Sequence, residues 1–373
     1  MAFEELTRGF LPKQDPIPIL PSIFQPWEDI ARTLPKWLMS TTLRNKIKSL
    51  PEFPINQLND KSHYQRAMLI LSYLGHAYVW GENPAVDVLP KVLAQPWYQV
   101  AKYLERPPVL SYASYALYNW MRLNPQGPIE LGNIALLQNF LGGQDEEWFV
   151  LVHVDIEAKA EALVKNVLII VENKIGLGEA LQPIVNALNA ICEALDRIPE
   201  RCDPYIYYQR VRPYIHGWLN NPVLPEGLIY EGVEEYQGKP QKFRGETGAQ
   251  STIIPMCDAL LGIEHKKDML QKYLQEMRGY MPKNHRMLLE YVEKNTNVRE
   301  QVLSGDLKLK KIYNDCIDLL ARFRKTHLSY AIEYIHKQSQ ASDANPTGVG
   351  TGGTPFIEYL RKHVEETIEF KIL

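Results

Sequence analysis

Apolar positions recur at three- and four-residue offsets along most of this chain, and alternating β-branched runs are few. The spacing predicts helices over Trp27–Leu34, Thr42–Leu50, Lys61–Trp80, Pro96–Glu105 and Leu110–Leu123. Proline-bearing turns such as Pro51-Glu52-Phe53-Pro54 and Arg106-Pro107-Pro108 separate them. A shorter helix is expected over Ile129–Leu141. After the break at Gly142-Gly143-Gln144-Asp145, helical patterns cover Glu146–Lys174, Gly178–Arg197 and Pro204–Leu219. They resume over Ser251–Leu261, Lys267–Gly279, Lys283–Lys294, Val298–Leu303 and Leu307–Lys337. Asn221–Gln250, rich in Gly, Pro and Glu, reads as a long loop, and Gln338–Gly353 as a second one. Thr354 and Pro355 then supply an N-cap and first-turn pair for a last helix. The class implied is all-α, with a small N-terminal helical domain over 1–143 and a large one over 144–373.

Composition narrows the function. The 373 residues are 45% hydrophobic and 23% charged, as in soluble globular proteins. A net charge of -3 gives no electrostatic case for nucleic acid or an anionic membrane as partner. Cys192, Cys202, Cys257 and Cys316 show no CxxC spacing and read as reduced core residues of a cytoplasmic protein. The N-terminal stretch has no signal-type apolar run, and no segment approaches the roughly 20 apolar residues needed to span a bilayer.

His327 is the residue with most chemical content. Ile312, Cys316, Ile317, Leu320 and Phe323 precede it, and Ala331 and Tyr334 follow it, at helical offsets, so the pattern places its imidazole on the buried stripe. A buried imidazole needs a partner. On pattern alone that partner is a backbone carbonyl; a metal is the other choice, and one neutral His with no neighbouring ligands suits a haem iron.

Other positions carry weaker signals. Arg212 follows Tyr208 by one helical turn, with Tyr207 beside it, so a guanidinium and an aromatic wall share a face. Such a pair recognises the carboxylate and ring of an aromatic amino acid, or is a surface Arg lying on core aromatics. Tyr112, Tyr115, Ala116 and Asn119 form an aromatic stripe, pocket wall or core. Phe149 and His153 are one turn apart and aim a polar ring toward the same place. Asp258, in an apolar helix, needs a cation, an amide or solvent. Arg324, three residues before His327, can reach an anionic group at the edge of whatever His327 binds. The Gly348–Thr354 run lacks the Lys-Ser/Thr of a phosphate loop and reads as a lid or a linker.

Taken together, Ala77-Tyr78-Val79-Trp80-Gly81, Pro107-Pro108-Val109-Leu110-Ser111-Tyr112-Ala113 and Gly227-Leu228-Ile229-Tyr230-Glu231-Gly232 resemble blocks of the indoleamine 2,3-dioxygenase family. So do Ala249-Gln250-Ser251, Asp258-Ala259-Leu260-Leu261-Gly262-Ile263, Met277–Arg286, Asn297-Val298-Arg299-Glu300 and the Gly350–Thr354 loop, in the family's order over nearly the whole chain. The resemblance implies one haem b between two helical domains, O₂ as co-substrate, and oxidation of L-tryptophan to N-formylkynurenine with an electron donor keeping the iron ferrous. By position it makes His327 the proximal ligand and Arg324 the partner of a haem propionate. Arg212 becomes the carboxylate clamp, with Tyr207, Tyr208, Tyr112, Tyr115, Ala116 and Phe149 as pocket wall. Thr247 and Gly248 match a loop over the haem face, Thr351 and Gly352 the lid, and Asp258 a carboxylate linked to haem retention.

The chain departs from the vertebrate pattern at several of these positions. Tyr207 and Tyr208 stand for Phe, Tyr115 for a smaller residue, His153 for Ser, and Thr326 for Tyr; in that place His153 is the candidate catalytic group, able to hydrogen-bond O₂ or the indole N–H. Two alternatives therefore stand beside tryptophan dioxygenation: monooxygenation of an indole derivative, and non-enzymatic binding of O₂ or haem.

Overall fold

The helix Lys61–Trp80 opens on Asp60, whose side chain accepts from the His63 amide, and it is buried without a break from Gln65 to Val79. A helix covered on every face must satisfy its own polar groups. His76 does so twice: Nδ1 donates to the Tyr214 carbonyl at 2.7 Å and Nε2 accepts from the Leu110 amide at 3.0 Å. Burial holds this ring neutral, with its pKa near 3.

The computed structural model describes residues 3, 5–266, 269–340 and 357–373. Among them the fold is all-α, and the strands are two-residue pieces. Val88–Leu89 pairs parallel with Ile229–Tyr230, and Met121–Arg122 pairs antiparallel with Ile134–Ala135. No helix among the described residues is long and apolar enough to cross a membrane. All four cysteines are buried and free.

The buried apolar side chains fall into two clusters. One gathers Leu11 to Val154 with Ile215–Val233 and Leu270–Tyr280; the other gathers Leu6, Phe10 and the helices from Trp148 onward. The helix Gln144–Lys159 feeds both. Val150 and Val154 enter the first cluster, Val152 and Ile156 the second, and Phe149 packs against each.

Several elements differ from the sequence expectation. Leu110–Leu123 is not one helix: a π-helical turn, Ala113–Leu117, is followed by a strand. Asn119 ends that turn, donating to the Tyr73 hydroxyl and the Gln138 carbonyl while accepting from the Gln138 amide. This anchors the 134–138 segment as strand and extended chain, so the helix expected over Ile129–Leu141 does not form. The helix containing Pro96 starts earlier, at Lys91, because Pro90 accepts from the Leu93 and Ala94 amides. Glu146–Lys174 divides at Ala160 into Gln144–Lys159 and Glu161–Val171. The 221–250 segment carries a strand and inserts Leu224, Leu228, Tyr230 and Val233 into the first cluster.

Candidate active site

Asp306 caps the helix Leu307–Ala331 by accepting from the Leu309 amide. Its buried stripe runs Ile312, Cys316, Ile317, Leu320 and Arg324 against the helices Leu177–Leu195 and Ile357–Glu369. His327 continues this stripe but is not covered by it. The structure corrects the expected burial: the ring has open surface and, among the described residues, no hydrogen-bond partner. Surrounding protein and the nearby His153 nevertheless lower its pKa to about 4. The imidazole is therefore neutral, with a lone pair available.

One turn back, Arg324 is buried and engaged. Its Nη2 meets both Asp258 oxygens, at 2.8 and 2.6 Å, and its Nη1 donates to Thr367. Asp258 therefore finds the cation that its apolar helix required. Burial works against the Asp258 carboxylate, but Arg324 and His265 outweigh it and lower the pKa. His265 bridges Asp258 and Glu366 at 3.3 and 2.7 Å. Burial opposes its proton; the two carboxylates prevail and raise its pKa. His265, His363 and Glu366 lie within 4.8 Å of one another, yet the two rings stack at 4.0 Å with planes 23° apart. In-plane lone pairs in such planes do not converge on one ion, and Arg324 stands 3.4 Å from His265 Nε2. This cluster is an ion-pair network joining the C-terminal helix to the His327 helix.

The opposite wall is aromatic and built on π-helical turns, which sequence periodicity did not show. Tyr115 and Ala116 lie in Ala113–Leu117, where the Tyr118 amide donates five residues back to Ala113. Tyr207 and Tyr208 lie in Tyr207–Val211, where the Arg212 amide donates five back to Tyr207. Such one-residue insertions shift the side-chain register of the helix, a feature common at functional sites. Arg212 is wholly buried with its guanidinium 5.2 Å from the Tyr208 ring centre; burial lowers its pKa.

Phe149 joins this wall to the rest, 4.5 Å from Tyr207, 4.6 Å from His153 and 6.5 Å from Tyr115, ring centre to ring centre. Tyr112 meets His153 at 6.0 Å. His153 Nδ1 sits 2.7 Å from the Phe149 carbonyl. A carbonyl only accepts, so Nδ1 carries the proton and Nε2 is left as an acceptor. Burial lowers the His153 pKa and keeps the ring in this neutral form.

Two carboxylates were missed. Glu157 is one turn after His153, a spacing that could have shown it. Its Oε1 accepts from the Tyr112 and Ser251 hydroxyls at 2.9 and 2.7 Å, and burial raises its pKa to about 7. Glu246 is buried beside Thr247, its pKa raised by burial to about 8. The Glu246 amide donates to Ile215. This contact needs glycine on both sides, since a Cβ on Gly217 would sit 2.2 Å from the Gly245 nitrogen. The loop is thus held against the Arg212 segment, while Gln250 joins it to Tyr112. Thr247 caps the next turn by accepting from Ala249. A Cβ added to Gly248 would meet nothing within 4 Å, so that position opens onto free space. Thr351 and Gly352 lie outside the described residues.

The structure therefore brings His153 within electrostatic reach of His327 and joins Tyr112, Tyr115, Phe149, Tyr207, Tyr208 and Arg212 into one wall. Comparison with known proteins agrees in scope. A family model described as IDO, indoleamine 2,3-dioxygenase, matches residues 5–370. The chain is 36% identical to indoleamine 2,3-dioxygenase 1 of Rattus norvegicus over 96% of its own length and 92% of the relative's. It is 33% identical to indoleamine 2,3-dioxygenase 2 of Homo sapiens, over 97% of itself and 92% of the relative. A 6-hydroxytryptophan 2,3-dioxygenase of Fusarium equiseti is 31% identical, over 98% and 95%.

Proposed function

Since the chain belongs to the indoleamine 2,3-dioxygenase family, a family of haem-dependent oxidoreductases using O₂, we propose that its reaction is the 2,3-dioxygenation of L-tryptophan to N-formylkynurenine. Membership also removes the non-enzymatic reading. The observation that carries the proposal is the His327 ring, which is neutral, exposed, without a hydrogen-bond partner among the described residues, and close to His153.

The residues present fit a haem. His327 would hold the iron, since a neutral imidazole with a free lone pair is the required ligand. Gly248 faces open space, and Arg324, one turn before His327, presents a guanidinium oriented by Asp258. When bound, the haem supplies the iron that activates O₂, with an external electron donor keeping it ferrous.

The chain's own contribution is positioning. Arg212 takes the substrate carboxylate in a bidentate clamp, and Tyr208 beneath it fixes the plane. Phe149 and Tyr207, whose rings pack together at 4.5 Å, form the continuous wall against which the indole lies. His153 Nε2, an acceptor, takes a hydrogen bond from the indole N–H and sets the ring's rotation; it has no proton to give to O₂. We read the two apolar clusters as the small and large domains, divided near residue 143, with the segment around 215–280 returning to the smaller core and the cleft between them.

The test is incubation of the haem-loaded, reduced protein with L-tryptophan. The expected product gains both atoms of O₂ and absorbs in the near ultraviolet. A product with one added oxygen would transfer the assignment to monooxygenation. No product from any indole would overturn it.

A further inference from the structure

The Tyr115 hydroxyl is fully buried and has no hydrogen-bond partner among the described residues. Leaving such a group unpaired is costly, and a native structure that does so has a reason at that point. The position is not remote from the site. Arg212 and Tyr208 mark the end that holds the amino-acid carboxylate; Tyr207, Phe149 and then Tyr115 follow in contact order. Tyr115 is thus at the far end of the aromatic wall, where the benzo edge of an indole would lie. Its phenol is within electrostatic reach of Tyr207 and Glu246 on the pocket segments, and of Tyr73 and Glu146 behind it. Tyr73, whose ring lies 6.4 Å from that of Tyr115, makes no hydrogen bond to it; its hydroxyl accepts from Asn119 and its ring stacks on Phe140.

We propose that Tyr115 is a specificity-determining residue, whose buried hydroxyl pairs with a hydrogen-bonding substituent on the benzo ring of the substrate. The preferred substrate class is then a ring-hydroxylated tryptophan rather than tryptophan itself. Plain tryptophan presents only C–H groups there and leaves the phenol unpaired in the complex. A ring hydroxyl can both donate to Tyr115 and accept from it. Sites that pair a substrate hydroxyl discriminate against the analogue lacking it far more strongly than apolar pockets discriminate by size.

This inference rests on the dioxygenase reading above, and its test is separable from it. The holoprotein is offered L-tryptophan and its 5-, 6- and 7-hydroxy derivatives, measuring kcat/KM for each and, independently of turnover, Kd by calorimetry. At least one hydroxylated substrate should exceed tryptophan by about tenfold or more in both quantities. In Tyr115→Phe that ratio should fall to near unity. Turnover of tryptophan with no preference for any hydroxylated form, or a Tyr115→Phe variant that retains the wild-type ratio, overturns the proposal and leaves the dioxygenase assignment standing. Tight, selective binding without turnover supports Tyr115 while removing the assignment.

Discussion

The two walls of the cleft are built on opposite terms. On the His327 side the charges are paired, Arg324 with Asp258 and Thr367, and His265 with Asp258 and Glu366, although one Glu366 oxygen has no hydrogen bond among the described residues. On the side of Phe149 and Tyr207 the chain stacks rings and leaves polar atoms unmatched, among them the Tyr115 hydroxyl and one oxygen of Glu157. The first arrangement fixes a helix in place, because buried ions tolerate little displacement. The second gives shape with spare hydrogen-bonding capacity, which suits recognition of a molecule that arrives and leaves. His327 is the exception on its own side, a ring with no hydrogen-bond partner among the described residues.

If that contrast is correct, substitutions on the two sides should fail in different ways. His327→Ala should abolish haem retention altogether, read as loss of the haem absorbance after purification and haemin loading, with the helical circular dichroism unchanged. Asp258→Ala should destabilise the fold by about 4 kcal/mol in chemical denaturation, since it leaves the Arg324 charge buried without its carboxylate. A variant of wild-type stability would show that the network does not anchor the helix.

Glu157 tests the other wall through pH. Burial raises its pKa from 4.5 to about 7, so the folded protein holds this proton more tightly than the unfolded chain. The resulting stability is complete below the unfolded pKa and is lost as the pH rises through about 7. Glu157→Gln should remove that dependence, worth up to about 3 kcal/mol, between about pH 5 and about pH 8 in urea titrations. An unchanged slope would place the titrating group elsewhere. Smallest in free energy, Arg212→Ala should lower kcat/KM for tryptophan by about a hundredfold while sparing the haem spectrum. Tryptamine, which lacks the carboxylate, should respond little; an equal loss for both would show that Arg212 holds the wall and not the substrate.

Legibility differed between the same two regions. The His327 helix was readable because Ile312, Cys316, Ile317, Leu320 and Arg324 keep a regular helical spacing, and Lys61–Trp80 and Val298–Leu303 were bounded as observed. The tyrosine segments were less so. Tyr112 to Asn119 looked like ordinary helix, whereas the Asn119 side chain, by tying residue 138 to Tyr73, makes it a π-turn followed by strand. Glu246 gave no local signal, since its burial comes from Gly217 and Gly245 pressing two loops together.

Local sequence determined the all-α class, the helix that carries His327 and the residue types available at the site, because helical periodicity and capping act over one or two turns. Only the tertiary structure decided that His327 is left open beside His153, that Arg324 and Asp258 pair, and that Glu157 is joined to Ser251. Those properties depend on which groups meet across 66 residues or more, as for Arg324 and Asp258, and on how much protein surrounds them. Burial and pairing of that kind are set by packing between distant segments, which no local pattern encodes.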